Sequence, residues 1–189
     1  FSGLSRHSRL RLADGASDAG VQPLRWVAPM SGAPNKVSPM SGAPTTVPAV
    51  VTAARAWIGT PYVHQAACKG AGCDCLGLLL GLWREFHGTL PGPVPAYTQD
   101  WSEVSGEERL LDAARHHMAE KPLGAAAAGD VLIFRMRARA VAKHVGLQTV
   151  AGERPRFLHA YSGRGVVEGA LTAPWARRIV ARFAFPERF

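Results

Sequence analysis

The segment 75–86 constrains the fold most strongly, because it is almost entirely apolar. Asp74 precedes it at a position typical of a helix N-cap, and Gly88 and Pro91 follow its end. A helix that is apolar on all sides must be covered by other elements. Its longest uninterrupted apolar run, 76–83, is far shorter than the roughly 20 residues that cross a bilayer. We therefore expect a buried helix in a folded domain, and no membrane insertion.

Helical patterns come first in the chain, and strand patterns follow. Apolar residues recur at helical spacing over 50–58, and a more polar helix is predicted over 105–121. Five short β-prone runs lie after them: 130–134, 144–148, 157–161, 166–168 and 179–183. This order predicts an α+β domain, with N-terminal helices packed on an antiparallel β-sheet. Four tryptophans are expected to make core or subdomain contacts: Trp57, Trp83, Trp101 and Trp175.

The first quarter of the chain differs in composition from the rest. It is rich in Ser, Gly, Ala and Pro, and the hexapeptide Pro-Met-Ser-Gly-Ala-Pro occurs at 29–34 and again at 39–44. Such a stretch buries too little apolar surface to offset the entropy of ordering it. We expect a flexible or docking arm over 1–48 and a folded domain over 49–189. The first residues lack the apolar run of a signal peptide, so we expect synthesis in the cytoplasm.

The chain is basic, with 22 Lys and Arg against 14 Asp and Glu and a net charge of +8. This excess favours an anionic partner such as nucleic acid, an acidic wall polymer or a membrane surface. We find no nucleic-acid-binding motif and no alternation of aromatic and basic residues, so nucleic acid is not the expected partner. One local basic cluster lies between two predicted strands, where we expect a solvated hairpin loop or a dock for acidic polymer: Arg135, Arg137, Arg139 and Lys143.

Three cysteines leave at least one thiol unpaired, and Cys75 is the candidate nucleophile. At the first turn of a helix it would face unpaired N–H groups, which favour the thiolate and could also hold an oxyanion. Two histidines, His144 and His159, lie in predicted strands that could bring their rings together, which would complete a Cys-His-His triad. The spacing of Cys68 and Cys73 does not match a zinc knuckle, so no metal site is expected. Inert packing is expected for both, and a regulatory or protective disulfide between two of the three cysteines is the alternative.

Five short motifs occur in a fixed order along the chain. They are Gly-Thr-Pro-Tyr at 59–62, Gly-Cys-Asp-Cys-Leu-Gly at 72–77, Gly-Asp-Val-Leu-Ile-Phe at 129–134, His-Val-Gly at 144–146 and His-Ala at 159–160. In order and spacing they resemble the NlpC/P60 family of papain-like cell-wall cysteine peptidases, and the resemblance covers about 49–186. The stretch 68–75 is most similar to the phage and gene transfer agent branch of that family.

The resemblance implies a papain-like NlpC/P60 fold and cleavage of peptidoglycan stem peptides, commonly beside D-glutamate. Cys75 would be the nucleophile, His144 the base and His159 the third member, without a metal or organic cofactor. Asp74 and Tyr62 match residues that line the family's substrate site.

His64, close after Tyr62, is expected to border the same groove. The resemblance to this branch implies that the protein is part of a phage-like tail particle and acts in the periplasm or cell wall. The arm over 1–48 would then contact other tail or particle proteins.

The sequence departs from the family pattern at Leu76, where relatives commonly carry serine after the nucleophile. The family's substrate contacts can therefore be carried over to this chain less safely than its catalytic mechanism. Two alternatives from other classes stay open: a catalytically silent wall-binding or structural tail component with the same fold, and nucleic-acid binding, which only the high pI suggests. Within the enzyme class, acyl transfer or amide cleavage on another substrate by the same triad also stays open.

Overall fold

The computed structural model describes residues 47–94, Tyr97 and 106–186, so most of the predicted arm over 1–48 lies outside the described residues. The helices of this part are α1 (Ala49–Arg55), α2 (Cys75–His87), α3 (Arg109–His117) and α4 (Ala173–Ala176). The strands are β1 (Ala67–Cys68), β2 (Gly72–Cys73), β3 (Ala119–Lys121), β4 (Asp130–Phe134), β5 (His144–Val150), β6 (Arg156–Tyr161), β7 (Gly165–Ala170) and β8 (Ile179–Ala184). None of these helices is long and apolar enough to cross a membrane.

Six strands form one antiparallel sheet in the order β3-β8-β4-β5-β6-β7. The remaining two, β1 and β2, pair with each other just before α2 begins. The predicted α+β class is therefore confirmed, with helices α1 and α2 preceding an antiparallel sheet. The predicted strand over 130–134 matches β4, and the other four predicted strands each fall within an observed one.

The predicted helix over 105–121 is wrong at both ends, since residues 106–108 are not helical and α3 begins at Arg109. The observed helix α3 stops at His117, because Met118 adopts an extended backbone (φ −136°, ψ 154°). The chain then continues as β3, in which Glu120 pairs with Phe183 of the neighbouring strand β8. Pairing to a distant strand leaves no periodic signal in so short a segment. The two-residue strands β1 and β2 and the four-residue helix α4 were not predicted either, because they are too short to show a periodic pattern.

The sheet separates two apolar clusters of unequal size. The larger one packs α1 and α2 against strand residues of one face, including Val131, Ile133, Val145 and Leu147. The smaller one, on the opposite face, consists of four buried residues with Trp175 and two neighbours packed against it: Leu132, Phe134, Phe157 and Leu171. Because alternate residues of β4 enter the two clusters, the strand is buried along its whole length.

A buried polar network joins four strands of the sheet. The Asp130 carboxylate accepts hydrogen bonds from Arg182 Nη1 at 2.7 Å, from Lys121 Nζ at 2.6 Å and from the Ala127 N–H at 2.8 Å. Arg182 also donates to Gln148 on β5. Because Arg182 and Asp130 are both nearly inaccessible to water, each charge depends on the other for its stabilisation.

Helix α2 closely approaches the turn that follows α1 at Gly81. A Cβ atom added there would overlap the six-membered ring of Trp57, which is buried. The Trp57 Nε1–H donates to Glu85 Oε1 at 3.0 Å, so the indole is fixed at both its apolar and its polar end. The absent side chain therefore lets the ring lie directly on the helix backbone.

We predict that Gly81→Ala destabilises the protein by about 1–2 kcal/mol, since overpacking costs about 1–3 kcal/mol and alanine's higher helix propensity offsets part of it. Urea unfolding followed by circular dichroism measures the change. Gly124→Ala is the control, because a Cβ there meets no atom within 4 Å and should change stability by less than about 0.5 kcal/mol. Equal stabilities of the two variants would contradict the packing argument.

Candidate active site

Cys75 is the first residue of α2, and Asp74 caps this helix. The Asp74 Oδ1 atom accepts the Gly77 N–H at 2.7 Å, as the sequence predicted for an N-cap. The backbone N–H groups of Val145, Leu76 and Cys75 itself lie close enough to the sulfur to lower the pKa of Cys75. Because Val145 follows His144 directly on β5, the thiol lies beside the strand that carries the first predicted histidine.

His144 and His159 form a buried pair, with 2.8 Å between His144 Nε2 and His159 Nδ1. They lie on the neighbouring antiparallel strands β5 and β6, as the sequence led us to expect. Gly146 lies between them and leaves room for the contact, since a Cβ there would come within 3.0 Å of the Phe157 ring and 3.4 Å of the His159 Cβ. The structure therefore brings the two predicted rings into direct contact.

The contact between the histidines restricts where their protons can be. One of the two bonded nitrogens must donate and the other accept, so only one carries a hydrogen. When His144 Nε2 is the donor, a neutral His144 has its Nδ1 unprotonated. That nitrogen can then accept a proton from a thiol, which is the property required of a base paired with a cysteine.

A cleft of about 220 Å³ contains the thiol and the first histidine. Five of the predicted site residues line it, whereas His159 contributes to the site through its bond to His144. The complete lining is Tyr62, His64, Asp74, Cys75, Tyr97, Met136, Lys143, His144, Ala160, Tyr161 and Ser162.

Asp74 also organises one wall of this cleft through its second carboxylate oxygen. Oδ2 accepts the Gln65 N–H at 2.8 Å and the Tyr97 hydroxyl at 2.7 Å, and His64 Nδ1 lies 3.4 Å away. The Tyr97 ring stands edge-on to the His64 ring, with centroids 5.3 Å apart. The predicted residues Asp74 and His64 are therefore held together by a tyrosine that the sequence did not single out.

The site favours neutral forms of both the thiol and the imidazoles. Burial raises the pKa of Cys75 to about 11 and outweighs the three backbone N–H groups that lower it. Burial also lowers the pKa of His144 to about 3, with a further contribution from His159, and lowers that of His159 to about 4. Desolvation of the sulfur thus opposes the thiolate that the helix start was expected to favour.

The other two cysteines differ in exposure, and all three thiols are free. Cys73 is fully buried, and burial raises its pKa to about 12, whereas Cys68 is exposed. Over the described residues, no group of three or more His, Cys, Asp or Glu side chains is placed to hold a metal ion.

Several cleft residues were not predicted as site residues. Tyr161 follows His159 by two positions, so strand alternation puts both on one face and could have identified it. Lys143 precedes His144 directly and lies in the basic cluster already noted. Tyr97 has no such signal, because it lies in an irregular stretch and reaches Asp74 only through the tertiary fold.

Comparisons with known proteins were made by sequence and by structure. No protein-family model and no curated protein sequence matches the chain. Among solved structures, a protein similar to lipoprotein, NLP/P60 family, from Staphylococcus aureus subsp. aureus Mu50 is 24% identical, with a TM-score of 0.49 over 79% of this chain and 44% of that one. The NlpC/p60 domain of the peptidoglycan hydrolase SagA is 21% identical, with a TM-score of 0.49 over 72% of this chain and 97% of that one.

An NlpC/P60 family protein from Bacillus cereus ATCC 10987 is 17% identical, with a TM-score of 0.49 over 72% of this chain and 40% of that one. The present chain therefore spans less than half the length of the Staphylococcus and Bacillus proteins that it matches.

We predict that alkylation of Cys75 by iodoacetamide accelerates about tenfold per pH unit between pH 7 and pH 9, without a plateau. The reason is that the thiolate attacks, and a thiol with a raised pKa gains thiolate steadily across this range. Fragmentation mass spectrometry distinguishes the Cys75 adduct from adducts on Cys68 and Cys73, and the Cys75→Ala variant is the control. A rate that is already constant near pH 7 would instead indicate a thiolate–imidazolium pair.

Proposed function

We propose that the protein is a cysteine endopeptidase that hydrolyses peptidoglycan stem peptides beside D-glutamate. One observation carries the proposal: the thiol at the start of α2 shares a cleft with His144, whose Nε2 lies 2.8 Å from His159 Nδ1. A nucleophile, a base and a group that orients the base are the three parts that thiol catalysis requires.

In the proposed mechanism, His144 Nδ1 takes the Cys75 proton while the sulfur attacks the scissile carbonyl carbon. Backbone N–H groups at the first turn of α2 stabilise the oxyanion that forms. The amide C–N bond then breaks, and the His144 imidazolium gives its proton to the leaving amine. Water, deprotonated by His144, attacks the thioester and releases Cys75 as a thiol. His159 accepts the His144 Nε2–H throughout and thereby supports the imidazolium when it forms.

The substrate assignment rests on the resemblance of the five motifs to cell-wall peptidases. Tyr62, His64 and Asp74 form the wall next to Cys75, and we assign them to substrate binding. Members of the resembled family commonly carry serine at the position of Leu76. In this protein Leu76 lines a separate apolar groove of about 500 Å³, together with Leu79 and Trp83. A serine hydroxyl at this position is therefore not part of the proposed substrate contacts.

We further propose that the protein works on a phage-like tail or gene transfer agent particle, in the periplasm or cell wall. The similarity of the stretch 68–75 to that branch supports the assignment, and the arm over 1–48 would contact other tail or particle proteins. No cofactor is required, since the triad supplies the nucleophile and the proton transfers.

We predict that the protein releases stem-peptide fragments from purified sacculi and that Cys75→Ala lowers this release at least about a thousandfold. Mass spectrometry of the soluble fragments identifies the bond that is cut. The Cys68→Ser variant is the matched control, because this exposed cysteine lies outside the cleft and its loss should leave the release unchanged.

Two outcomes would contradict the proposed function. Equal release by the parent and Cys75→Ala would exclude Cys75 as the nucleophile. Binding of both proteins to sacculi without release by either would favour the silent wall-binding component, once deletion of residues 1–48 has tested whether the arm blocks the cleft.

We also predict different effects of two substitutions at His159. Asparagine can accept the His144 Nε2–H through its side-chain oxygen, so His159→Asn should lower kcat/KM by about tenfold or less. His159→Ala removes the acceptor and should lower it by about 10²–10³-fold. Initial rates on a stem-peptide substrate measure both. Equal losses in the two variants would show that His159 does not act through this hydrogen bond.

A further inference from the structure

Trp175 lies next to both histidines. Its indole centroid lies 5.8 Å from the His144 ring, with the planes tilted by 36°, and 5.0 Å from the His159 ring, at 79°. It is not among the residues that line the cleft containing Cys75, whereas His144 is one of them. The indole thus covers part of the pair outside the cleft.

The surroundings of Trp175 hold the indole in place. Within α4, the Ala176 N–H donates to Thr172 O at 2.8 Å, and the tryptophan packs against the smaller apolar cluster of the sheet. The guanidinium of Arg178 lies 5.7 Å from the indole centroid. The backbone oxygen of Arg178 accepts the backbone N–H of Arg135 at 2.8 Å. The one-turn helix α4 is therefore attached to the chain that leaves β4.

Four aromatic rings together enclose the histidine pair, and we call them the aromatic box: Phe134, Phe157, Tyr161 and Trp175. Phe134 lies 5.7 Å from the His144 ring, and Phe157 lies 4.5 Å from the His159 ring. Tyr161 lies 6.4 Å and 5.5 Å from the two rings, respectively. The faces of these rings offer no strong acceptor to an imidazole N–H, so turning either histidine toward them would leave a polar hydrogen without a good partner.

We propose that Trp175 is a positioning residue for the His144–His159 pair. It fixes the orientation of both rings and excludes water from them, so that His144 remains a neutral base whose unbonded nitrogen is available to Cys75. This inference rests on the role of His144 as base under the proposed function. Trp175, which the sequence predicted only as a core or subdomain contact, would therefore support catalysis by positioning the histidines.

The electrostatic surroundings agree with this role. Burial is the largest cause of the lowered pKa of both histidines, and Trp175 contributes to that burial. The titratable and charged groups near the pair come from several elements: Cys75 on α2, Lys143 before β5, Tyr161 on β6, Arg178 after α4, and Tyr62, His64 and Asp74 along the cleft. The carboxylate among them, Asp74, accepts hydrogen bonds from Gln65, Gly77 and Tyr97.

The first test measures the pKa of each histidine in the full chain by NMR titration of its ring C–H signals. Trp175→Ala should raise the pKa of both by about one pH unit or more, because water would reach the charged forms. Trp175→Phe keeps an aromatic ring and should raise them by less. Trp83→Ala is the matched control, since Trp83 is also a partly buried tryptophan that stacks on a histidine, His87, at 4.9 Å. It should leave both values unchanged.

The second test uses the stem-peptide substrate. A higher pKa of His144 removes its neutral form only at a pH near that pKa, so a rise of about one pH unit from about 3 should make kcat/KM of Trp175→Ala fall by about threefold more at pH 3.5 than at pH 8 relative to the parent. Unchanged histidine pKa values in folded Trp175→Ala, or an equal fall at both pH values, would overturn the proposal and leave Trp175 a structural role.

If Trp175→Ala does not fold, Trp175→Leu takes its place in both tests, because it keeps an apolar side chain while removing the ring. If the parent cuts no substrate, the proposed function fails, but the NMR titration still decides whether Trp175 controls the histidines.

Discussion

The contact between the first turn of α2 and strand β5 is the interaction on which the candidate site depends. The Val145 N–H lies close enough to the sulfur to lower the pKa of Cys75, and Cys75 and His144 line the same cleft. Two other features fix this geometry from the helix side. Asp74 caps the first turn, and Gly81 lets the middle of the helix lie flat on Trp57. A helix shifted by even one residue would carry the sulfur about 1.5 Å along its axis and away from His144.

Burial at this contact opposes charge on both the thiol and the imidazoles, since it raises the pKa of Cys75 and lowers that of His144. Under the proposed function, charge separates only when the sulfur attacks, and the imidazolium then lies in a poorly solvated place, where it requires nearby acceptors and polarisable rings. In that mechanism His159 supplies the acceptor, and the faces of the aromatic box can stabilise the cation through their π electrons. The same rings that exclude water thus offset part of the cost of excluding it.

The sequence was informative where a residue's role follows from its own segment. An N-cap before an apolar run predicts where α2 begins, and this start fixes Cys75 at the first turn. Alternation within short β-prone runs predicts strands for His144 and His159, and the antiparallel class then allows their rings to meet. The position of Tyr97 depends on the Asp74 carboxylate, which is remote in sequence, and α4 is a single turn without a periodic pattern. For the same reason the partnership of Trp175 with the histidines was not predicted, although the tryptophan itself was noted as a packing residue.

The two neighbouring depressions on this side of the domain differ in polarity, and Tyr97 lines both of them. Its hydroxyl points to Asp74 in the cleft, while the groove beyond it is lined mainly by apolar side chains such as Leu79, Leu80 and Trp83. Leu76 belongs to that groove, although it directly follows the cysteine. Compared with the serine common in the family that the motifs resemble, this leucine extends the apolar surface up to the residue next to Cys75. Under the proposed function, a substrate group that reaches past Tyr97 from the scissile bond would consequently exchange water for hydrocarbon, which favours an apolar group over a charged one.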